Sequence, residues 1–204
     1  MTKVKICGIT NYGDAKNAAD LGADFLGFNF YSRSPRCIEF KKAKDIVGKL
    51  QKNVSKVGVF VNEKNENIIE IAEYCNLDII QLSGDEDSDF VYELKNSTNK
   101  KIIKSFRIRH KIDANLINSF NSDYIVLDSF KDGLYGGTGK SFDLNMIKNV
   151  DNKKLFLAGG LNDKNVKFAI QKVNPYAVDV CGSIEKSAGR KDFDKMKNFI
   201  EAVK

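Results

Sequence analysis

Short runs rich in valine, isoleucine and phenylalanine recur along the chain, each followed by a polar or glycine-bearing turn and then by apolar residues at helical spacing. The runs predict strands at residues 3–7, 24–29, 56–61, 78–82, 101–106, 123–128, 153–158 and 177–181. Between and after them, helical spacing covers residues 12–21, 41–51, 64–75, 87–97, 113–120, 142–149, 162–172 and 192–203. Strand followed by helix, eight times and without a composition break or long linker, implies parallel strands joined by right-handed crossovers. Eight such units close on themselves, and 204 residues is near the lower limit for that architecture. The expected fold is α/β, a single (β/α)8 TIM barrel over residues 1–204. An open doubly wound sheet is the alternative. It would call for Gly-x-Gly-x-x-Gly after the first strand, a spacing that Cys7-Gly8-Ile9-Thr10-Asn11-Tyr12-Gly13 does not supply.

Charge and cysteine usage narrow the classes of function. The 33 basic and 27 acidic side chains leave +6, with lysines scattered over predicted helix surfaces and no interleaved basic and aromatic stripe. That excludes nucleic acid as the expected partner and favours a small anionic ligand. The start, Met1-Thr2-Lys3-Val4-Lys5, carries no apolar run of signal length, and no stretch approaches membrane-spanning length, so a cytoplasmic protein is expected. Cys7, Cys37, Cys75 and Cys181 are widely spaced, with no Cys-x-x-Cys pair and no nearby histidine, which reads as reduced thiols and no metal. The single histidine, His110, lies in a polar stretch past a strand and is given no role.

In a barrel, function gathers at the carboxyl ends of the strands. By itself a strand-end cysteine is a small apolar filler. Cys7, however, ends the first strand and is followed at once by the turn at Gly8, which aims the thiol into the mouth. Asp128 ends the run Tyr124-Ile125-Val126-Leu127 and projects there too, across the ring from Cys7. An acid and a base on opposite sides of a ligand is an arrangement for moving protons. Gly159-Gly160 after strand seven and Gly182-Ser183 after strand eight are weak signals singly. Together they stand where such barrels cradle a phosphate on backbone N–H groups. The ten residues after Phe130, with Gly136, Gly137, Thr138 and Gly139, read as a cover over the site, and Arg36 offers a planar fork suited to a carboxylate.

These residues resemble the phosphoribosylanthranilate isomerase family of tryptophan biosynthesis from end to end. Lys5-Ile6-Cys7-Gly8-Ile9-Thr10 is similar to its opening motif, and Gly27-Phe28-Asn29-Phe30 with Ser34-Pro35-Arg36 to its second. Val57-Gly58-Val59-Phe60-Val61-Asn62, Leu127-Asp128, Gly136-Gly137-Thr138-Gly139 with Phe142-Asp143, and Leu157-Ala158-Gly159-Gly160-Leu161 follow in the family's order. The resemblance implies that Cys7 is the general base and Asp128 the general acid of an Amadori rearrangement. It further implies that Arg36 binds the anthranilate moiety, that Asp179 joins it in binding substrate, that Gly159, Gly160, Gly182 and Ser183 hold the phosphate, and that no cofactor is needed. The small-molecule substrate is then phosphoribosylanthranilate, and the expected assembly is a monomer or a homodimer.

The acid has to begin protonated, which requires a partly closed apolar site, while the thiol needs cationic or dipolar surroundings to ionise. Three positions depart from the family pattern. Ser83 stands where histidine is common, Gly182 and Ser183 are transposed, and Asp163 replaces a common proline. Rival readings are weaker. An indole-glycerol-phosphate synthase calls for strand-end lysines and an extra N-terminal segment, a sugar isomerase of histidine biosynthesis for an aspartate in place of Cys7, and a non-catalytic phosphate binder would have no use for an acid facing a thiol.

Overall fold

The computed structural model describes residues 1–51, 53–108, 113–129, 147 and 150–204. Eight parallel strands close into one barrel in sequence order. They are β1 (Lys3–Cys7), β2 (Phe25–Asn29), β3 (Ser55–Phe60), β4 (Ile79–Leu82), β5 (Lys101–Ile108), β6 (Tyr124–Ser129), β7 (Leu155–Leu157) and β8 (Ala177–Val180), with β1 pairing β8 to close the ring. Around them, among the described residues, lie α1 (Tyr12–Asp20), α2 (Phe40–Gly48), α3 (Asn65–Tyr74), α4 (Ser88–Ser97), α5 (Ala114–Ser119), α6 (Val166–Val173) and α7 (Phe193–Val203).

Local chemistry fixes where these elements start. Asn11, Asp87, Asp113 and Asp192 cap α1, α4, α5 and α7 by accepting a backbone N–H of the first turn through their side chains. The sheet has its own repeated device. Asp24, Asp78 and Asp123 each stand just before a strand and accept the backbone N–H of Val4, Lys56 and Ile102 on the preceding strand, all at 2.8 Å. Three strand pairs are thereby pinned in register at the amino end of the barrel.

Alternation along each strand divides the side chains between two cores. Phe25, Val57, Ile79, Ile103, Val126, Phe156, Ala158 and Ala177 fill the barrel interior. At its lower end the rings of Phe25 and Phe156 meet at 5.0 Å, and those of Tyr124 and Tyr176 stack at 5.1 Å. The alternate residues, such as Val4, Ile6, Leu26 and Ile80, pack outward against helix residues including Val91, Leu94 and Phe199. Truncating a buried ring such as Phe199 to alanine costs about 3–5 kcal/mol. The aromatic plug leaves the carboxyl end as the open one.

The expected barrel is therefore present, with strand bounds shifted by a few residues at most. Helix α6 starts at Val166 rather than residue 162 because Asn162 and Asn165 lock the intervening turn: Asn162 Oδ1 accepts from Lys164 and Asn165, and Asn165 Oδ1 accepts from Asn162. A hairpin that the pattern did not predict, β9 (Glu185–Ser187) with β10 (Arg190–Lys191), follows β8 and turns at Gly189, whose φ is 76°. Of the helix expected at 142–149, only Ile147 lies within the described residues.

Candidate active site

Strand parity determines what reaches the mouth. On β1, Lys5 and Cys7 share the inner face with Asp179 of β8, because Lys5 registers with Asp179 and alternate residues point the same way. Lys5 is fully buried and donates its Nζ to Asp179 Oδ2 at 2.6 Å. The lysines therefore do not all lie on helix surfaces, as their scatter had suggested. Lys104 is buried and bonded to Glu86 at 2.7 Å and to the carbonyl of Gly84, and Lys191 is buried against Glu185 at 3.0 Å. A lysine on the inner face of a strand can only be held there by an acid, since an isolated buried charge costs several kcal/mol.

Cys7 stands directly above Lys5, half-buried at the end of β1. Its thiol is held well below the ordinary value, first by a hydrogen bond from Cys181 and then, against the opposing effect of burial, by the cations of Lys5 and Lys191. The same hydrogen bond, together with burial, pushes the Cys181 thiol up. Gly27, the registered neighbour of Cys7 on β2, makes room for the sulfur: a Cβ there would lie 2.7 Å from Cys7 Sγ. Burial also pushes Asp179 up to about 7 against the pull of Lys5.

Arg36 leaves the loop after β2 and reaches past Gly8, over the end of β1, to the hairpin after β8. Its Nε donates to both carboxylate oxygens of Glu185 at 3.0 and 3.1 Å, and its Nη2 donates to Oε2 at 2.7 Å. Burial alone would raise Glu185, but Arg36 and Lys191 outweigh it and hold the carboxylate below its usual range. The fork expected to meet a substrate carboxylate is thus already braced by one of the protein's own.

Asp128 projects from β6 at the same end of the barrel, registered with Arg107 of β5 and three strands from Cys7 around the ring. The two phosphate-loop candidates also meet. Gly159 and Gly160 both adopt positive φ, 89° and 69°, and Ser183 Oγ donates to the carbonyl of Leu161 at 2.5 Å, tying the loop after β8 to the loop after β7. Among the described residues, the backbone N–H groups of Gly160, Gly182 and Ser183 meet no acceptor. Ser83 accepts from Gln81 Nε2 at 3.0 Å. Gly136, Gly137, Thr138 and Gly139 lie outside the described residues, as does His110. No group of three or more metal-ligating side chains occurs among the described residues, and none of their helices is long and apolar enough to cross a membrane.

Residues 4–202 of this chain match the family model described as N-(5'phosphoribosyl)anthranilate (PRA) isomerase. The chain belongs to this family. An N-(5'-phosphoribosyl)anthranilate isomerase of Thermoanaerobacter sp. (strain X514) is 44% identical over 205 residues, covering 100% of this chain and 98% of the relative. The phosphoribosyl anthranilate isomerase structure from Thermotoga maritima superposes with a TM-score of 0.88 at 36% identity, over 99% of this chain and 98% of the other. A further structure of a phosphoribosyl anthranilate isomerase, in complex with reduced 1-(o-carboxyphenylamino)-1-deoxyribulose 5-phosphate, gives 0.87 at 36% identity over the same shares of the two chains. Lys5, Cys181 and Glu185 stand at the mouth beside the candidate residues, and motif reading gave none of them a role. The signal for Lys5 was its shared strand parity with Cys7.

Proposed function

We propose that Cys7 and Asp128 act as base and acid in the reaction of this isomerase family, the rearrangement of N-(5'-phosphoribosyl)anthranilate to 1-(2-carboxyphenylamino)-1-deoxyribulose 5-phosphate in tryptophan biosynthesis. The observation that carries the assignment is placement: Cys7 ends β1 directly above the buried ammonium of Lys5, with Asp128 at the end of β6 three strands around the ring.

Asp128 gives its proton to the furanose ring oxygen, and the ring opens to an iminium. The Cys7 thiolate then takes the proton from C2, leaving an enolamine that tautomerises to the ketone. Cys7 and Asp128 move every proton in these two steps. Arg36, braced by Glu185, presents its remaining edge to the anthranilate carboxylate. Asp179 is held by Lys5 through Oδ2, and its buried Oδ1, which meets no donor among the described residues, accepts from a substrate hydroxyl. The N–H groups of Gly160, Gly182 and Ser183 take the phosphate, with Gly159 shaping the turn.

Turnover of freshly made substrate, followed by loss of anthranilate fluorescence, tests the roles. Cys7→Ser and Asp128→Asn should each lose at least about a hundredfold while remaining folded. Full activity in either variant would withdraw that residue's role.

A further inference from the structure

The mechanism uses one thiol at the mouth, yet the structure places two there. β1 and β8 register through Ile6 and Val180, so Cys7, the last residue of β1, and Cys181, the residue just past β8, stand side by side at the mouth, in step with the inward-facing Lys5 and Asp179. Strands so paired lie about 4.8 Å apart, within the range of roughly 4.4–6.8 Å between Cα atoms that a disulfide spans. The sulfurs are confined as well as adjacent. A Cβ on Gly27 would lie 2.7 Å from Cys7 Sγ, and one on Gly8 would lie 3.0 Å from Cys181 Sγ. Lys191 Nζ reaches Cys181 Sγ at 3.8 Å, and both cysteines are half-buried rather than sealed. The proposed acid and base steps make no use of sulfur at residue 181.

We infer that Cys7 and Cys181 form a hydroperoxide-reactive dithiol that closes into a reversible disulfide across β1 and β8, taking the base out of service. The Cys7 thiolate attacks the outer oxygen of the peroxide, the O–O bond breaks, and a sulfenic acid forms as the alkoxide or hydroxide leaves and is protonated. Cys181 sulfur then attacks the sulfenic sulfur. The S–S bond forms, the S–O bond breaks, and the hydroxyl departs as water with the Cys181 proton. Two thiols lose two electrons and one peroxide gains them. Reduction by an external dithiol restores both sulfurs. Capture by Cys181 also spares Cys7 from sulfinic acid, the irreversible next stage. The chemistry rests on Cys7 being ionised, not on its being the base.

The experiment exposes the folded protein to hydrogen peroxide, denatures it without reductant in iodoacetamide, and maps its tryptic peptides by mass. The wild type should show residues 6–16 joined to residues 173–186, two of its four cysteines shielded from alkylation, and activity falling with the joined fraction and returning with dithiothreitol. Cys181→Ser should show no joined peptide and a Cys7 that proceeds to sulfinic acid, with dithiothreitol restoring nothing. The proposal is overturned if peroxide leaves all four thiols alkylatable, if the exposed Cys37 is oxidised while Cys7 is untouched, or if wild-type Cys7 reaches sulfinic acid with no joined peptide. A joined peptide with activity intact would support the dithiol and remove Cys7 from the mechanism instead. Should Cys181→Ser not fold, the wild-type map alone decides.

Discussion

Arg36 and Glu185, 149 residues apart, are joined by three hydrogen bonds that bring the loop after β2 against the hairpin after β8. Glu185 also takes Lys191, at 3.0 Å, and the backbone N–H of Gly189, so one carboxylate holds the arginine, the hairpin and its turn together. On the role proposed for Arg36, Glu185 serves to aim it. Glu185→Gln should raise KM about tenfold or more with a smaller change in kcat, because uniform binding is lost. The cost in stability should be about 1.5–3 kcal/mol, the scale for hydrogen bonds to charged groups. Steady-state kinetics beside urea unfolding checks both numbers, and an unchanged KM would show that Arg36 needs no brace.

Lys5 and Asp179 separate stability from activity. Lys5→Met leaves Asp179 buried without its partner and should cost about 3–5 kcal/mol. The double replacement Lys5→Met with Asp179→Leu removes both charges and should recover most of that loss, since apolar residues of similar volume replace a buried pair at little cost. Activity should stay low in both proteins, because both lack the cation beneath Cys7 and the double variant also lacks the carboxylate proposed to meet the ligand. Recovery of turnover along with stability in the double variant would contradict the roles given to the pair.

Gly27→Ala tests how tightly the thiol is placed. Its new Cβ would press on Cys7 Sγ from 2.7 Å, and the sulfur would have to move. A displacement near 1 Å costs on the order of a hundredfold in rate. Measured kcat should fall on that scale while circular dichroism stays native, and a variant as fast as wild type would mean that the sulfur position is not critical.

The ionisation of Cys7 has a direct readout in its alkylation by iodoacetamide. Reactivity appears as pH rises through a thiol's pKa, so the midpoint for Cys7 should lie well below the ordinary value of about 8.5. Cys37, pushed up by burial and Glu39, should titrate above it. Because the folded-state value of Cys7 is depressed, the same ionisation stabilises the fold at pH above the unfolded thiol's pKa. That share is lost as pH falls through the lowered value. Peptide mapping across a pH series gives both midpoints, and a Cys7 midpoint at or above that of Cys37 would remove the basis for a thiolate base.

The barrel was legible in the sequence because its information is local. Apolar runs of strand length alternate with helical spacing, and four of the seven described helices start at a capping Asn or Asp. Cys7, Asp128 and the two glycine-bearing turns were legible for a related reason: each sits at the end of a run whose direction the topology fixes. What stayed hidden is pairwise and distant. Lys5 looks like a solvent-facing lysine until Asp179, 174 residues away, closes the ring beside it. Arg36 looks like a free fork until Glu185 arrives on a hairpin whose strands are only three and two residues long, too short to leave an alternating pattern. The later start of α6 was hidden by side chains that bond to nearby backbone, which hydrophobic spacing does not register.

The central claim, that the Cys7 thiolate takes the C2 proton, is tested most directly by single-turnover rates with substrate carrying deuterium at C2. The wild type should slow with deuterium, showing that cleavage of that bond limits the step. Cys7→Ser should run at least about a hundredfold slower with the isotope effect retained. A Cys7→Ser protein that breaks the same bond within tenfold of the wild-type rate would contradict the account and place the base elsewhere in the mouth.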